Sequence, residues 1–208
     1  MRIERIEVRF VEAKLDEPFG WSQRWTDVRS VIVLKVTTDD GIVGWGETYG
    51  SQDSVPGIAT VAQIAIGEDP SHIGKIWHKL HRAVYQSHVF AKGGANAISA
   101  LDTALYDITG KSSGKSAAEL LGGRIHDSIP VYATGLYYVD NYALAPLLEE
   151  ASGYVEQGFS GMKMKVGAMS LAEDAERIKK TREVIGGDVR LMFDANESYD
   201  PSTALTFA

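Results

Sequence analysis

Two lysines that alternate along one predicted β-strand are the strongest candidates for chemistry. Lys163 and Lys165 lie in the segment 161–167, whose sequence is GMKMKVG. Because alternate residues of a strand share a face, both ammonium groups should point the same way, opposite to Met162 and Met164. Repulsion between the two charges favours loss of a proton from one of them, and a neutral amine is a usable general base. The competing interpretation is a half-exposed strand with two solvated lysines, the usual setting of such a pair.

An aspartate and an asparagine stand at the end of the next predicted strand. Asp194 closes this strand, and Asn196 follows two residues later, where the same face would be presented. A carboxylate at the carboxyl end of a barrel strand is a hard oxygen ligand of the kind that binds Mg²⁺. Both residues could instead cap the loop after the strand, a common use of Asp and Asn. The lysines on the neighbouring strand favour the metal interpretation.

These four residues together point to one class of reaction. A proton on the carbon next to a carboxylate is hard to remove, because the enediolate left behind carries two negative charges. A divalent metal on the carboxylate oxygens neutralises that charge while a nearby lysine takes the proton. A second lysine in contact with the carboxylate adds electrostatic stabilisation. One aspartate cannot hold Mg²⁺ alone, so the remaining ligands are expected from later strands, beyond residue 208.

The second part of the chain alternates predicted strands and helices. Strands are expected over 128–136, 161–166 and 189–195, with helices over 141–157 and 171–185. Pro201 opens a further helix, since proline suits the first helical turn. Such alternation indicates βαβ units in a parallel sheet. Three strands cannot complete a (β/α)₈ barrel, which needs about 250 residues, so we expect this sequence to be the N-terminal portion of a longer protein.

The first part of the chain predicts an antiparallel sheet followed by helices. Strands are expected over 3–11, 30–37 and 42–48, the last two joined by a turn at 39–41. A polar and aromatic loop is expected over 18–29, and it contains Trp21, Arg24 and Trp25. The spacing of apolar residues predicts helices over 54–66, 71–85 and 96–109, and a short last helix closed by Gly122 and Gly123.

Composition narrows the class of protein. The 208 residues carry a formal net charge of −7 and no cysteine, and 44% of them are hydrophobic. The acidic balance argues against a nucleic-acid or membrane partner, and the lack of cysteine excludes disulfides and thiolate metal sites. No signal peptide or membrane-spanning run is visible in the sequence, so a cytoplasmic protein with a packed core is expected.

Three other features resemble functional motifs only superficially. In the segment 110–116 three residues separate the glycines, where a phosphate-binding loop needs four. His78 and His81 lack a third ligand nearby in the sequence, which favours a solvated helix face over a metal site. Trp21 and Trp25 could stack on nucleic-acid bases, but their loop carries too little positive charge.

Four stretches of the chain match a known family in their order and spacing. They are GIVGWGE at 41–47, AISALDTALYDITGKSSGKSAAELLGG at 97–123, KMKVG at 163–167 and DAN at 194–196. With these motifs, which span nearly the whole chain, the sequence resembles the mandelate racemase/muconate lactonizing enzyme branch of the enolase superfamily. The Lys-x-Lys pattern speaks against the mannonate dehydratase branch, which lacks that lysine pair.

The resemblance implies a fold of two domains. Residues 1–125 would form an α+β capping domain that selects the substrate. Residues 126–208 would form the first three strands of a (β/α)₈ TIM-type barrel, which is incomplete in this chain. The loops 19–29 and 49–55 would close over the barrel mouth. The resemblance also implies a homo-oligomer for the complete protein.

The resemblance further implies roles for individual residues. Lys165 would be the general base, and Lys163 would contact the substrate carboxylate. Asp194 would be the first of three carboxylate ligands of Mg²⁺. Other residues would position the metal or the substrate, namely Asn196, Trp21, Arg24, Trp25 and Tyr49. The partner group on the opposite face of the substrate would be a His–Asp pair or another lysine, depending on the subgroup, and no histidine follows His126.

The function expected for the complete protein is Mg²⁺-dependent dehydration of a sugar acid, a step of carbohydrate acid catabolism. The polar side chains of the 18–29 loop suit recognition of a polyol, and Arg24 could pair with a distal carboxylate of the substrate. One alternative is a racemase, epimerase or cycloisomerase that uses the same enediolate. The other is an inactive, truncated fragment. In both enzymatic cases the expected partner is a small-molecule carboxylate.

Overall fold

An antiparallel three-stranded sheet comes first in the chain, and a parallel three-stranded sheet comes last. Both are seen in a computed structural model that describes residues 1–86, 93–139 and 142–208. Contacts divide the chain into two compact units. The first unit comprises Met1–Ala13 and Arg29–Asp127, and the second comprises Lys14–Val28 and Ser128–Ala208. The segment Lys14–Val28, which the expected capping domain includes, groups with the second unit.

The antiparallel sheet has the strand order β1 (Ile3–Trp21), β2 (Arg24–Thr38) and β3 (Val43–Thr48). The turn between β2 and β3 lies where the Asp-Asp-Gly sequence predicts it, and Gly41 has a φ of 84°. Glycine adopts this left-handed backbone without strain, which explains why a glycine occupies the turn. The resulting register places Leu34 opposite Gly46 and Val36 opposite Gly44.

Among the described residues of the first unit, four α-helices follow the sheet. They are α1 (Val55–Ala62), α2 (Ile73–Gln86), α3 (Gly94–Ser113) and α4 (Ala117–Leu120). The predicted helices are all present, and α3 extends beyond its predicted bounds at both ends. Ser116 and Glu119 form a capping box that starts α4. The core of this unit consists of apolar side chains from β1, β2 and helices α1 to α3.

Two glycines of β3 allow α3 to lie directly on the strand. A β-carbon built at Gly44 would lie 2.3 Å from the carbonyl oxygen of Ala104, and one built at Gly46 would lie 1.8 Å from that of Ala100. Any side chain at either position would therefore collide with the helix backbone. This close approach is the physical reason for the Gly-x-Gly spacing in the GIVGWGE motif.

The segment 18–29 is not the loop that the sequence predicts. Strand β1 continues to Trp21 and β2 already begins at Arg24, so the two strands extend as a long hairpin with its turn at Ser22 and Gln23. Most residues of the outer hairpin are exposed or only half-buried. Because neither face is buried throughout, the alternation of apolar and polar residues that marks a strand is missing there.

The parallel sheet of the second unit has the order β4 (Ala133–Thr134), β5 (Gly161–Lys165) and β6 (Arg190–Asp194). The prediction of three parallel strands is confirmed, but the strand predicted over 128–136 is wrong in length. Only Ala133 and Thr134 form the strand, and Gly135 and Leu136 after it also hydrogen-bond to β5. Ile129 and Val131 have β-branched side chains that are largely exposed, so their apolar character does not reflect a place in the sheet.

In the described part of the second unit, three helices connect and follow these strands. They are α5 (Leu144–Glu156), α6 (Leu171–Ile185) and α7 (Pro201–Phe207). Helix α6 has the predicted bounds, and it begins with a capping box formed by Ser170 and Glu173. Helix α5 begins later than predicted, and residue 141, its predicted start, lies outside the described residues. None of the helices in the described part of the chain is long and apolar enough to cross a membrane.

Candidate active site

The two lysines of β5 project from one face of the sheet, opposite the apolar residues of the same strand. Met162 and Met164 are fully buried in the core of the second unit. On the other face the side chain of Lys163 is 22% exposed and that of Lys165 only 7%. Lys165 is therefore not the solvated surface lysine of the competing interpretation. A buried amine requires polar partners.

The Asp194 carboxylate is the main hydrogen-bond partner of both lysines. Strand β6 pairs with β5 so that Lys165 and Asp194 lie side by side in the register. Lys165 Nζ donates to Asp194 Oδ2 at 2.7 Å, and Lys163 Nζ donates to the same oxygen at 3.2 Å. The carboxylate thus offsets the repulsion between the two ammonium groups that the sequence alone predicts.

The environment of Asp194 strongly favours its charged form. The hydrogen bond from Lys165 is the largest cause, and it lowers the pKa of Asp194 to about 2. The backbone N–H of Asn196 and the Lys163 ammonium act in the same direction, while partial burial opposes them. Asp194 is therefore ionised at neutral pH.

This paired carboxylate should make stability depend on pH in acid. The folded-state pKa of Asp194 lies below its unfolded value, so its contribution is complete above about pH 4 and is lost as the pH falls towards 2. We expect urea unfolding midpoints of the unaltered protein and of Asp194→Asn to differ near neutral pH and to converge in acid. A difference that stays constant down to about pH 2.5 would contradict this assignment.

Asn196 completes the surroundings of the Lys165 amine. Lys165 Nζ donates to Asn196 Oδ1 at 2.6 Å, and the backbone N–H of Asn196 donates to Asp194 Oδ1 at 3.0 Å. Asn196 has a φ of 45° and Glu197 a φ of 66°. Asparagine tolerates this left-handed backbone better than most residues, and it turns the chain back towards the end of β6. The amine is held between oxygens of two different residues.

Tyr137 is a neighbour of Lys165 that the sequence analysis missed. Its ring centroid lies 6.0 Å from Lys165 Nζ and 4.7 Å from the ring centroid of Phe19. At this distance the aromatic face attracts the ammonium weakly. The signal that could have found Tyr137 is its position, because it follows β4 at the same edge of the parallel sheet at which Asp194 ends β6.

A cavity of about 330 Å³ lies between the hairpin turn and the loop after β6. It is lined by seven residues, Trp21, Ser22, Gln23, Arg24, Asn196, Glu197 and Ser198. Asn196 is the link between this cavity and the lysines, because it lines the cavity and accepts from Lys165. The lining is polar and includes charges of both signs, which suits a hydroxylated and charged small molecule.

The Ser22 side chain hydrogen-bonds the hairpin turn to the residues that directly follow strands β5 and β6. Its hydroxyl lies 2.6 Å from the carbonyl oxygen of Ala195 and 3.0 Å from that of Val166. A serine hydroxyl has one hydrogen, so the two carbonyls share it in a three-centre bond. Ser22 is buried and has a φ of 51°. Its backbone is thus held in a conformation that is uncommon for residues other than glycine.

We expect Ser22→Ala to lower the free energy of unfolding by about 1–3 kcal/mol, because the variant leaves a buried carbonyl without its donor. Urea unfolding of the two proteins measures this difference. Ser112→Ala is the matched control, since Ser112 is exposed and its hydroxyl bonds within its own helix. The interpretation of Ser22 is wrong if the two variants lose the same stability.

The remaining predicted site residues are placed differently. Trp21 and Arg24 line the cavity. Trp25 lies outside the cavity lining, and its ring packs edge-on against Tyr142 with centroids 5.8 Å apart. Tyr49 belongs to the first unit, where its side chain is 86% exposed and its carbonyl accepts from the side chain of Asn96.

The described residues fit part of a magnesium site. Asp194 and Asn196 present hard oxygen atoms, the ligand type that Mg²⁺ prefers. Within residues 1–86, 93–139 and 142–208, however, no group of three or more His, Cys, Asp or Glu side chains is arranged to hold a metal. A complete coordination sphere therefore needs ligands from outside the described residues.

Most of the chain matches two models of one family. A family model for the mandelate racemase/muconate lactonizing enzyme N-terminal domain matches residues 5–122, and one for an enolase C-terminal domain-like fold matches residues 146–208. The chain belongs to the mandelate racemase/muconate lactonizing enzyme family of the enolase superfamily. The resemblance noted in the sequence is thereby confirmed.

Three similar proteins illustrate the match. D-galactarolactone cycloisomerase of Agrobacterium fabrum is 37% identical over 212 residues, which cover 99% of this chain and 54% of the relative. Arabinonate dehydratase of Saccharolobus solfataricus is 39% identical over 183 residues, which cover 84% of this chain and 48% of the relative. The crystal structure of L-talarate/galactarate dehydratase from Salmonella typhimurium, liganded with Mg and L-lyxarohydroxamate, superposes with a TM-score of 0.83 and 30% identity. That match covers 99% of this chain and 54% of the crystallised one.

The relatives are longer than this chain and differ from one another in activity. The chain spans about half the length of the curated relatives it matches. Those relatives include sugar-acid dehydratases, cycloisomerases, racemases and epimerases.

Proposed function

We propose that the complete protein removes the proton next to a carboxylate of a sugar acid and then expels a hydroxyl group as water. One observation carries this proposal. The Lys165 amine is buried at the end of β5 and is held by Asp194 Oδ2 and Asn196 Oδ1. Such an amine has a defined direction in which it can meet a substrate, which is the first requirement of a general base.

The geometry suits Lys165 as the base. A neutral amine has two N–H bonds and one lone pair. Lys165 pairs with Asp194 as an ammonium, and after it loses a proton its hydrogen bonds to Asp194 and Asn196 would use both remaining N–H bonds and leave the lone pair free to accept a proton. Fixing the amine in this way reduces the entropy that must be lost when the substrate and the base meet.

Lys163 and a metal held by Asp194 would stabilise the negative charge of the substrate carboxylate. Lys163 is more exposed than Lys165 and reaches the same carboxylate oxygen, so its ammonium group is available to a substrate carboxylate. Mg²⁺, held by Asp194 together with ligands from outside this chain, would neutralise negative charge on the substrate carboxylate. Both effects favour the enediolate over the starting acid.

The dehydration balances without a further reactant. Lys165 takes the proton from the carbon next to the carboxylate, and the electron pair of that C–H bond enters the enediolate. The hydroxyl on the adjacent carbon then leaves with one proton as water. The enol that remains gains a proton at carbon and loses one at oxygen, which gives a 2-keto acid. The acid that protonates the leaving hydroxyl would come from the opposite face of the substrate.

The cavity favours an acid with several hydroxyl groups. Gln23, Ser198 and Glu197 offer hydrogen-bonding groups, and Arg24 offers a guanidinium that can bind a second carboxylate with two hydrogen bonds. Two of the relatives named above act on acids of this kind according to their names, and the third is named for galactarolactone, the lactone of such an acid. We propose aldonic or aldaric acids as the substrate class.

A cycloisomerase is the second candidate. The cycloisomerase of Agrobacterium fabrum matches nearly the whole chain, and a 3,6-anhydro-D-galactonate cycloisomerase from Zobellia galactanivorans superposes with a TM-score of 0.86. This reaction would begin with the same proton abstraction by Lys165. It differs in its product, which keeps the mass of the substrate because no water leaves.

One experiment separates these outcomes. The complete protein is incubated with Mg²⁺ and a panel of aldonic acids, aldaric acids and their lactones, in H₂O and in D₂O. Release of a 2-keto acid whose mass is lower than that of the substrate by one water supports the dehydratase. A ring-opened product with the mass of the substrate supports the cycloisomerase, and exchange of the substrate proton for deuterium with no other change indicates a racemase or epimerase. If no acid exchanges its proton or loses water, the proposed function is wrong.

A further inference from the structure

A buried charged cluster lies directly behind the strand that carries Lys165. Asp174 on helix α6 is fully buried, and its carboxylate accepts three hydrogen bonds. The donors are the hydroxyl of Tyr138 at 2.7 Å, Arg177 Nη1 at 2.8 Å and the backbone N–H of Gly167 at 2.7 Å. None of these groups takes part in the proposed chemistry.

Arg177 connects this cluster to Lys165. Its Nη1 donates to the carbonyl oxygen of Lys165 at 3.0 Å, as well as to Asp174. The guanidinium carbon lies 4.0 Å from the ring centroid of Tyr138, so the ring covers the charge that is not hydrogen-bonded. Arg177 is itself buried. Arg177 Nη1 therefore links helix α6 to the backbone of Lys165, the last residue of β5.

The cluster also holds the turn that follows Lys165. Asp174 Oδ2 accepts from Gly167, and the Tyr138 hydroxyl accepts from the backbone N–H of Ala168 at 3.1 Å. On its other side the N–H of Lys165 donates to the carbonyl of Leu136 at 3.2 Å. Hydrogen bonds thus hold the backbone at Lys165 and in the turn after it, and their partners do not contact the reaction site.

We propose that Arg177, together with Asp174 and Tyr138, positions the Lys165 amine. The proposal rests on the proposed function, in which Lys165 is the base. Burying an ion pair is a poor way to gain stability, because apolar side chains of the same volume often stabilise a protein as well or better. Here the charged groups deliver directed hydrogen bonds to Lys165 and Gly167, which apolar side chains cannot do.

The consequence for catalysis is specific. A displacement of about 1 Å at a catalytic group can lower a rate by about 10²-fold, even when the substrate still binds. Loss of the Arg177 contact should therefore lower kcat strongly and change KM little. A merely structural residue would lower the amount of folded enzyme and leave the kcat of the folded fraction unchanged.

The experiment compares three variants of the complete protein. Arg177→Met removes the donor and keeps much of the side-chain volume. Arg177→Lys retains a cation, and one ammonium nitrogen could restore both contacts that Arg177 Nη1 makes. Ile185→Ala is the control, because Ile185 is buried on the same helix and is not part of the cluster. For each variant kcat and KM are measured below its melting temperature, together with hydrogen exchange of the segment 165–168.

We expect Arg177→Met to lower kcat about 30- to 100-fold more than Ile185→Ala, with KM changed less than about threefold. Exchange of the segment 165–168 should be at least about tenfold faster than in the control. Arg177→Lys should recover part of kcat. Equal kcat in Arg177→Met and Ile185→Ala, or unchanged exchange of the segment, would overturn the proposal.

The exchange measurement separates this proposal from the proposed function. If the unaltered protein turns over no acid, the proposed function fails by itself. Exchange of the segment 165–168 then still decides whether the cluster positions Lys165. An increase confined to Arg177→Met supports positioning, and no increase overturns it.

Discussion

Replacement of Lys165 by methionine is expected to lower kcat by about 10²- to 10⁴-fold, the usual contribution of a positioned general base. Methionine keeps an unbranched stem of similar length and removes only the amine. The Lys165 side chain is 7% exposed, so water cannot easily take its place as a base. The loss should appear in kcat, because Lys163 remains to contact a substrate carboxylate.

The effect must be separated from a loss of folding. Lys180→Met is the matched control, since Lys180 lies on α6, is exposed and pairs with Glu183 at the surface. We expect this variant to keep the activity and melting temperature of the unaltered protein, because surface ion pairs contribute little. The D₂O exchange assay gives a second readout, in which Lys165→Met should stop exchange of the substrate proton. Full exchange in Lys165→Met would assign the base to another group.

Substitution of Gly46 by alanine is expected to destabilise the first unit by about 3 kcal/mol or more, at the upper end of overpacking effects. The added β-carbon would lie 1.8 Å from the carbonyl oxygen of Ala100 and 2.8 Å from its carbonyl carbon. Both atoms belong to the backbone of α3, which cannot move away as a flexible side chain could. The strand or the helix must shift, and the core between them opens.

Gly74→Ala is the control for this substitution. Gly74 lies in the first turn of α2, and a β-carbon there would meet no atom within 4 Å. Because alanine is a better helix former than glycine, this variant should be as stable as the unaltered protein or more stable, by up to about 1 kcal/mol. Urea unfolding followed by far-UV circular dichroism measures both variants. The packing argument is wrong if Gly46→Ala unfolds at the same urea concentration as Gly74→Ala.

These two substitutions test different parts of the family pattern. The Lys-x-Lys motif concerns the proposed reaction, and its loss should lower activity far more than stability. The Gly-x-Gly motif concerns the contact of β3 with α3, and its loss should lower stability before it affects any chemistry. Two short motifs that look similar in the sequence thus have separate physical causes.

Much of the local structure follows from neighbouring residues. The alternation of Lys163 and Lys165 with Met162 and Met164 predicts which side chains of β5 are buried, because the strand repeat is two residues. The bounds of α6 follow from Ser170 and Glu173 at its start and from the apolar spacing along it. Asp200 and Pro201 mark the start of α7 in the same way. Each of these signals acts over a few residues.

The outer hairpin and the strand β4 show where local signals fail. Neither face of the hairpin segment 14–28 is buried throughout, so its residues carry no alternation that marks them as strand. Ile129 and Val131 have strand-forming side chains but no strand to pair with, so they suggest a longer β4 than forms. Propensity describes how a residue fits a pleated surface, and only the fold decides whether such a surface is there.

The sequence by itself determined the lysine face of β5, the carboxylate that ends β6, the helices and the family. Only the tertiary structure decided that Ser22 bonds to Val166 and Ala195, which are 144 and 173 residues away in the chain. It also decided that Arg177 holds the Lys165 carbonyl and that Tyr137 lies beside the amine. The physical reason is the distance along the chain over which each kind of interaction acts. Periodicity and capping depend on residues within one or two turns, whereas these contacts depend on how strands and helices pack together.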